Sequence, residues 1–191
     1  EESYRYLLSK GYTPGQICLC GESAGGGLIY ALCLRLKSKG MTLPCGIIAI
    51  SPWTDLTCSG ESYAVNRDND PSLTEELLNF YSGCYTGGVT PKDAPEVSPL
   101  FGDLKGLPPS LIFVGGDEIL LDDSRRMHEK LLEAGCSSQM HIAPERWHAY
   151  VLYMLNENMS DFEDMNKFLT KVMAAEQKQK WLRLDNAAKI Y

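Results

Sequence analysis

Short apolar runs separated by longer amphipathic stretches set the pattern of this chain. Ile17-Cys18-Leu19-Cys20 is unbroken by charge, as are Cys45 to Ile50 and Leu111 to Val114. Gln139 to Ala143 alternates polar and apolar positions. Runs of this length predict four strands, the uncharged ones buried on both faces as in a parallel sheet. Helical patterns lie between them. Leu28 to Lys39 is predicted to stop at Gly40, and Ser124 to Ala134 at Gly135, since glycine tolerates the left-handed conformation that closes a helix. Tyr4 to Lys10 reads as an earlier helix closed by Gly11. Ser160 with Glu163 three residues on suggests a capping box for a last helix. Its apolar stripe is Phe162, Met165, Phe168, Leu169 and Val172, a core-packing face. The alternation predicts an α/β fold, a parallel sheet with helices on both faces.

The interval Ser51 to Pro109 departs from this rhythm, with a short helix expected near Thr74 to Tyr85 among many prolines and glycines. An insertion at the C-terminal ends of parallel strands faces the site where such folds bind ligands. Trp53, directly after the second strand, is therefore a candidate wall for a substrate pocket, as is Trp147. Either residue fits a core position equally well. The tail Ala175 to Tyr191 turns strongly polar and reads as a C-terminal helix or linker, dividing the chain into 1–174 and 175–191.

Chemistry concentrates in Gly21-Glu22-Ser23-Ala24-Gly25-Gly26-Gly27, between a strand and a helix. Gly-x-Ser-x-Gly in that setting is a nucleophile elbow. The serine must sit on a tight turn, so Gly21 and Gly25 are expected to leave room where a Cβ would clash. Gly26 and Gly27 would let the helix pack closely on its strand. The five-residue pattern alone is common; an acid and then a histidine, in that order, give it weight. Of the three histidines, His128 falls in an amphipathic helix and His141 in a strand. His148 follows a strand in the loop Pro144-Glu145-Arg146-Trp147, where a general base belongs. Asp117 comes first after the strand and glycine pair at 110–116 and is the preferred acid, with Glu118 as its rival. Asp122 and Asp123 are explained by capping the next helix.

Three segments carry a family resemblance: Gly21 to Gly26, Ser51-Pro52-Trp53-Thr54-Asp55-Leu56, and Gly115 to Ser124. Over roughly residues 4 to 173 the chain resembles the hormone-sensitive-lipase-like, or family IV, bacterial esterases of the α/β-hydrolase superfamily. The resemblance implies Ser23 as nucleophile, Asp117 as acid and His148 as base, with the Ala24 N–H as an oxyanion donor. It implies hydrolysis of short- to medium-chain carboxylic esters through an acyl-serine, without a cofactor. Thioester or amide hydrolysis, acyl transfer, and a catalytically silent binding module are the alternatives on the same fold. The family's upstream His-Gly-Gly-Gly loop has no counterpart here. The chain is therefore expected to be the C-terminal part of an α/β-hydrolase fold, lacking the N-terminal strands and cap. Alone it is expected to be weak or inactive, and to self-associate through an exposed strand edge.

Composition narrows the partners. The net charge is −7, without a basic cluster beyond Lys178 to Arg183, which argues against nucleic acid. A small-molecule ester is the expected partner, and no apolar run approaches a membrane span. Seven scattered cysteines show no Cys-x-x-Cys pair and no metal spacing. Cys18 and Cys20 are expected to be small buried hydrophobes, and so many thiols fit a reducing, cytoplasmic setting.

Overall fold

The computed structural model describes the backbone of residues 1–188 and side chains through residue 174. The four apolar runs form one sheet: β1 (Cys18–Glu22), β2 (Gly46–Ile50), β3 (Ser110–Gly115) and β4 (Ser138–Ala143). Their spatial order is β1-β2-β3-β4 and every pairing is parallel. Gly21 pairs with Ala49, Ile50 with Phe113, and Gly115 with Ala143, which aligns the C-terminal ends of all four strands.

Burial follows from strand position. β2 and β3 are buried at every residue, whereas β1 and β4, the outer strands of the described sheet, mix half-buried and exposed positions. Cys20 is accordingly exposed and Cys18 half-buried, so the expected pair of buried cysteines does not form; Cys33 and Cys136 fill the core instead.

Helices cover both faces. On one, α2 (Ala24–Ser38) and α5 (Leu121–Glu133) bring Tyr30, Cys33, Met127 and Leu131 onto Ile47, Ala49 and Ile112. On the other, Phe168 and Val172 of α6 (Met159–Ala188) meet Ile48, Ile50, Leu111 and Phe113. Adjacent strand residues thus point to opposite layers, as the period of two requires. The chain opens with α1 (Glu2–Ser9). Gly11, Gly40 and Gly135 all adopt positive φ after their helices, as predicted.

Some boundaries moved. α2 starts at Ala24, four residues before the apolar run, because Gly25 to Gly27 join the helix. α6 starts at Met159, so Ser160 sits in its first turn rather than capping it. That helix also runs through the boundary expected at 174–175; the side chains of the tail lie outside the described residues, as do residues 189–191 altogether. Within the insertion, α3 (Ser62–Val65) and α4 (Glu75–Thr86) pack Tyr63 and Leu78 on Trp53, Leu56, Ile119 and Leu120. Among the described residues no helix is long and apolar enough to cross a membrane.

Candidate active site

The elbow is built by backbone constraint. Ser23 has φ 53 and ψ −122, a strained conformation for a residue with a Cβ. Three bonds over-determine it. Its N–H donates to Ile50 O (2.9 Å), and its carbonyl accepts from Trp53 N (2.9 Å) and Gly27 N (3.2 Å). A Cβ on Gly21 would collide with the Gly25 carbonyl, which accounts for that glycine. Gly25 differs from expectation, since a Cβ there would meet nothing within 4 Å. Gly26 and Gly27 lie chiefly against the segment after β2, where Pro52 and the Trp53 carbonyl occupy the space a Cβ would need, and a Cβ on Gly26 would also touch the Gly21 carbonyl of β1. The first bond back from α2 is made by Gly27, so the Ala24, Gly25 and Gly26 N–H groups have no carbonyl within the helix.

His148 stands across the sheet ends, 8% exposed, on the loop after β4. That loop approaches closely because Gly115 lacks a side chain; a Cβ there would strike the Arg146 carbonyl. Gly116 N then donates to Ala143 O (2.8 Å) and Asp117 N to Arg146 O (3.0 Å).

The imidazole faces Glu118, not Asp117. Nδ1 lies 3.6 Å from Glu118 Oε1, and Nε2 lies 3.5 Å from Glu22 Oε1. Glu118 is completely buried. Its Oε2 accepts from Ser51 Oγ (2.7 Å) and Gly115 N (3.1 Å), while among the described residues neither Oε1 nor His148 Nδ1 has a hydrogen-bond partner nearer than the other. A buried ionised carboxylate with an open lone pair demands a donor, and the facing Nδ1–H is the one available. Asp117 is half-buried, and among the described residues its carboxylate has no hydrogen bond or ion pair. The structure thus brings the rival Glu118, and not the preferred Asp117, to His148. The turn is set from the insertion: Asn66 Nδ2 donates to the carbonyls of Gly116 (3.1 Å) and Glu118 (2.9 Å), and Asp70 Oδ2 accepts from Ile119 N (2.9 Å). So fastened, the chain turns Glu118 inward and Asp117 outward.

Electrostatics around the ring follow. Burial pushes the His148 pKa down, but the Glu118 carboxylate, with Glu22 and Asp70 behind it, outweighs that and leaves it raised. The other histidines are elsewhere. His128 Nδ1 pairs with Ser138 Oγ at 2.8 Å, and His141 lies against the Phe113 ring at 5.0 Å. Among the described residues no group of histidine, cysteine and acidic side chains could hold a metal.

The chain matches the family described as alpha/beta hydrolase fold over residues 2–152. It is 38% identical over 169 residues to an acetyl-hydrolase of Streptomyces hygroscopicus, covering 87% of this chain and 56% of that one. An esterase of Acinetobacter venetianus is 41% identical over 151 residues, 78% of this chain and 50% of the relative. A crystal structure of an esterase from the bacterial hormone-sensitive lipase family superposes with a TM-score of 0.85 at 38% identity. That alignment covers 89% of this chain and 58% of that structure. The chain belongs to the hormone-sensitive-lipase-like, family IV α/β-hydrolases. It spans about half the length of the curated relatives it matches.

Within this hydrolase family frame, the remaining expectations sort by contact. Trp53 is 6% exposed, donates Nε1 to Asp55 O (3.0 Å) and packs in the core of the insertion, the alternative the sequence left open. Trp147 is half-buried, edge-on to Tyr153 at 5.7 Å. Asp122 and Asp123 do not cap α5. Asp122 Oδ2 accepts from Ser62 N, and Asp123 Oδ1 from Thr54 N and Asp55 N, so both tie the hydrolase core to the insertion. Ser51, Asn66, Asp70 and Glu22 were not anticipated. Ser51 opens one of the motifs that carry the family resemblance, which was the available signal; Asn66 and Asp70 carry none.

Proposed function

We propose that the whole protein is a serine carboxylesterase in which Ser23 is the nucleophile, His148 the general base and Glu118 the orienting acid. The observation that carries this reading is the buried Glu118 Oε1–His148 Nδ1 contact of 3.6 Å, at the same end of the sheet as the strained Ser23. With Nδ1–H turned to Glu118, the tautomer leaves the Nε2 lone pair to take the Ser23 hydroxyl proton. The Ser23 Oγ–carbonyl bond forms as that proton transfers. His148 returns the proton to the departing alkoxide as the ester C–O bond breaks, leaving an acyl-Ser23. Water repeats the sequence and releases the acid. The Ala24 N–H at the positive end of α2 is a donor for the oxyanion.

The relation to an acetyl-hydrolase supports acyl groups at the short end of the expected short- to medium-chain range, and the relation to an esterase supports an ester substrate. Trp147, half-buried and next to His148 in the chain, is the candidate substrate contact. The seven scattered cysteines, with no Cys-x-x-Cys pair among them, support a reducing, cytoplasmic setting.

The test is labelling of the full-length protein with a fluorophosphonate probe, read by intact mass, beside turnover of p-nitrophenyl esters from acetate to octanoate. One adduct, lost in Ser23→Ala, and a preference for the shorter esters are expected. Labelling that persists in Ser23→Ala would refute the nucleophile, and faster turnover of thioesters or amides would move the substrate class.

A further inference from the structure

Ser51 lies where β2 ends, fully buried and at φ 46, a left-handed conformation that a residue with a side chain adopts only under constraint. Its N–H donates to Phe113 O (2.7 Å), which prolongs the β2–β3 ladder by one residue. The hydroxyl then reaches two elements that the sheet does not join. It lies 2.7 Å from Glu118 Oε2 and 3.0 Å from Ala149 N.

The direction of these bonds is fixed by valence. A serine hydroxyl has one proton and two lone pairs. Ala149 N can only donate, so the oxygen accepts there and its single proton goes to the carboxylate. Ala149 directly follows His148 and is itself left-handed, at φ 56. One oxygen atom therefore holds the acid by its side chain and the base by its adjoining backbone. With Oε2 held by both Ser51 and Gly115 N, the carboxylate cannot rotate freely, and Oε1 is left directed at Nδ1.

We propose that Ser51 is a positioning residue of the site: its hydroxyl sets the separation and alignment of Glu118 and His148 without touching the substrate. The assignment rests on the reading of Glu118 and His148 as acid and base.

The test uses the full-length protein carrying Ser51→Ala or Ser51→Gly. Both lack the hydroxyl, but glycine relieves the left-handed backbone and so guards against loss through misfolding. Both variants are expected to lower kcat for p-nitrophenyl butyrate by about 10–100-fold, the scale of removing a group that orients a reacting residue, with KM within about two-fold. The far-downfield Nδ1 proton resonance of charged His148, assigned by its absence in His148→Ala, should shift or vanish in both. Ser23→Ala and Glu118→Gln are run beside them. If those two are inactive while Ser51→Gly keeps the wild-type kcat and an unmoved resonance, the hydroxyl is dispensable and this proposal alone falls. If Ser23→Ala and Glu118→Gln keep full turnover, the assignment of nucleophile and acid falls and this proposal with it.

Discussion

Glu22 Oε1 lies 3.5 Å from His148 Nε2, at the opposite end of the ring from Glu118. The two carboxylates differ in setting. Glu118 is sealed from solvent, whereas the Glu22 side chain, next to Ser23, is 42% exposed. Glu22 is therefore the adjustable member of the pair.

A general base works in its neutral form, so a raised His148 pKa moves the acidic limb of the pH–rate profile above the ordinary imidazole value of about 6.5. Removing an anion that stabilises the imidazolium must lower that pKa. Glu22→Gln should shift the limb of kcat/KM to lower pH by up to about one unit. Because Glu22 is half exposed, added salt should shrink the difference between the two proteins. A limb that stays put in low salt would mean that Glu22 does not act on the ring.

The neighbouring acids should separate sharply. Glu118→Gln is expected to reduce kcat by on the order of 10⁴, as when an orienting carboxylate becomes an amide and the wrong tautomer is favoured. Asp117→Asn should stay within about three-fold, because its half-exposed carboxylate holds nothing that the amide would lose. Steady-state kinetics on the two variants decide it; the reverse ranking would restore Asp117 as the acid.

The glycines of the elbow are expected to divide by what stands opposite them. In Gly27→Ala the new methyl meets the Trp53 carbonyl, and overpacking of this kind destabilises by about 1–3 kcal/mol. Gly25→Ala has open space and should leave the melting temperature unchanged or slightly higher, since alanine favours the helix. Thermal unfolding of both variants checks the pair.

Asp123 offers a pH test remote from the reacting atoms. It is fully buried, and that burial, with Asp55 nearby, pushes its pKa up to about 7. The folded state thus keeps a proton that the unfolded chain has lost between about pH 4 and pH 7, and stability from this group falls as pH rises through that window. Asp123→Asn keeps an acceptor for Thr54 N and Asp55 N and removes the titration. Its stability relative to wild type should rise by a few kcal/mol from pH 4 to pH 7. Asp123→Ala instead strands two amides and the Tyr63 hydroxyl, and should destabilise at both pH values by at least about 2 kcal/mol. Urea unfolding at the two pH values reads out each variant.

The sheet was legible because its evidence is local. Ile47-Ile48-Ala49-Ile50 has no polar position, and a glycine in left-handed backbone follows each of α1, α2 and α5. Ser23 was legible because its flanking glycines are local, although two of the three bonds that hold its backbone come from Ile50 and Trp53 on the next strand and the segment after it. The choice between Asp117 and Glu118 was not. Two adjacent carboxylates are equivalent in a string of letters, and the turn that separates them is held by Asn66 and Asp70, about fifty residues earlier. Trp53 likewise follows a strand as a pocket residue would, and only the packing of Tyr63 and Leu78 makes it core. Cys20 sits in an apolar run but on an edge strand, and edge position is a property of the assembled sheet.

The parallel seam between β2 and β3 has a consequence for how reactivity arises. Glu22, Ser23 and Ser51 belong to the half of the chain before that seam, and Glu118 and His148 to the half after it. The bond from Ala149 to Ser51 spans 98 residues. On the proposed assignment, pairing of β2 with β3 is what brings Ser23 and His148 to one end of the sheet, so a chain in which those two strands are unpaired lacks the arrangement that would act on an ester.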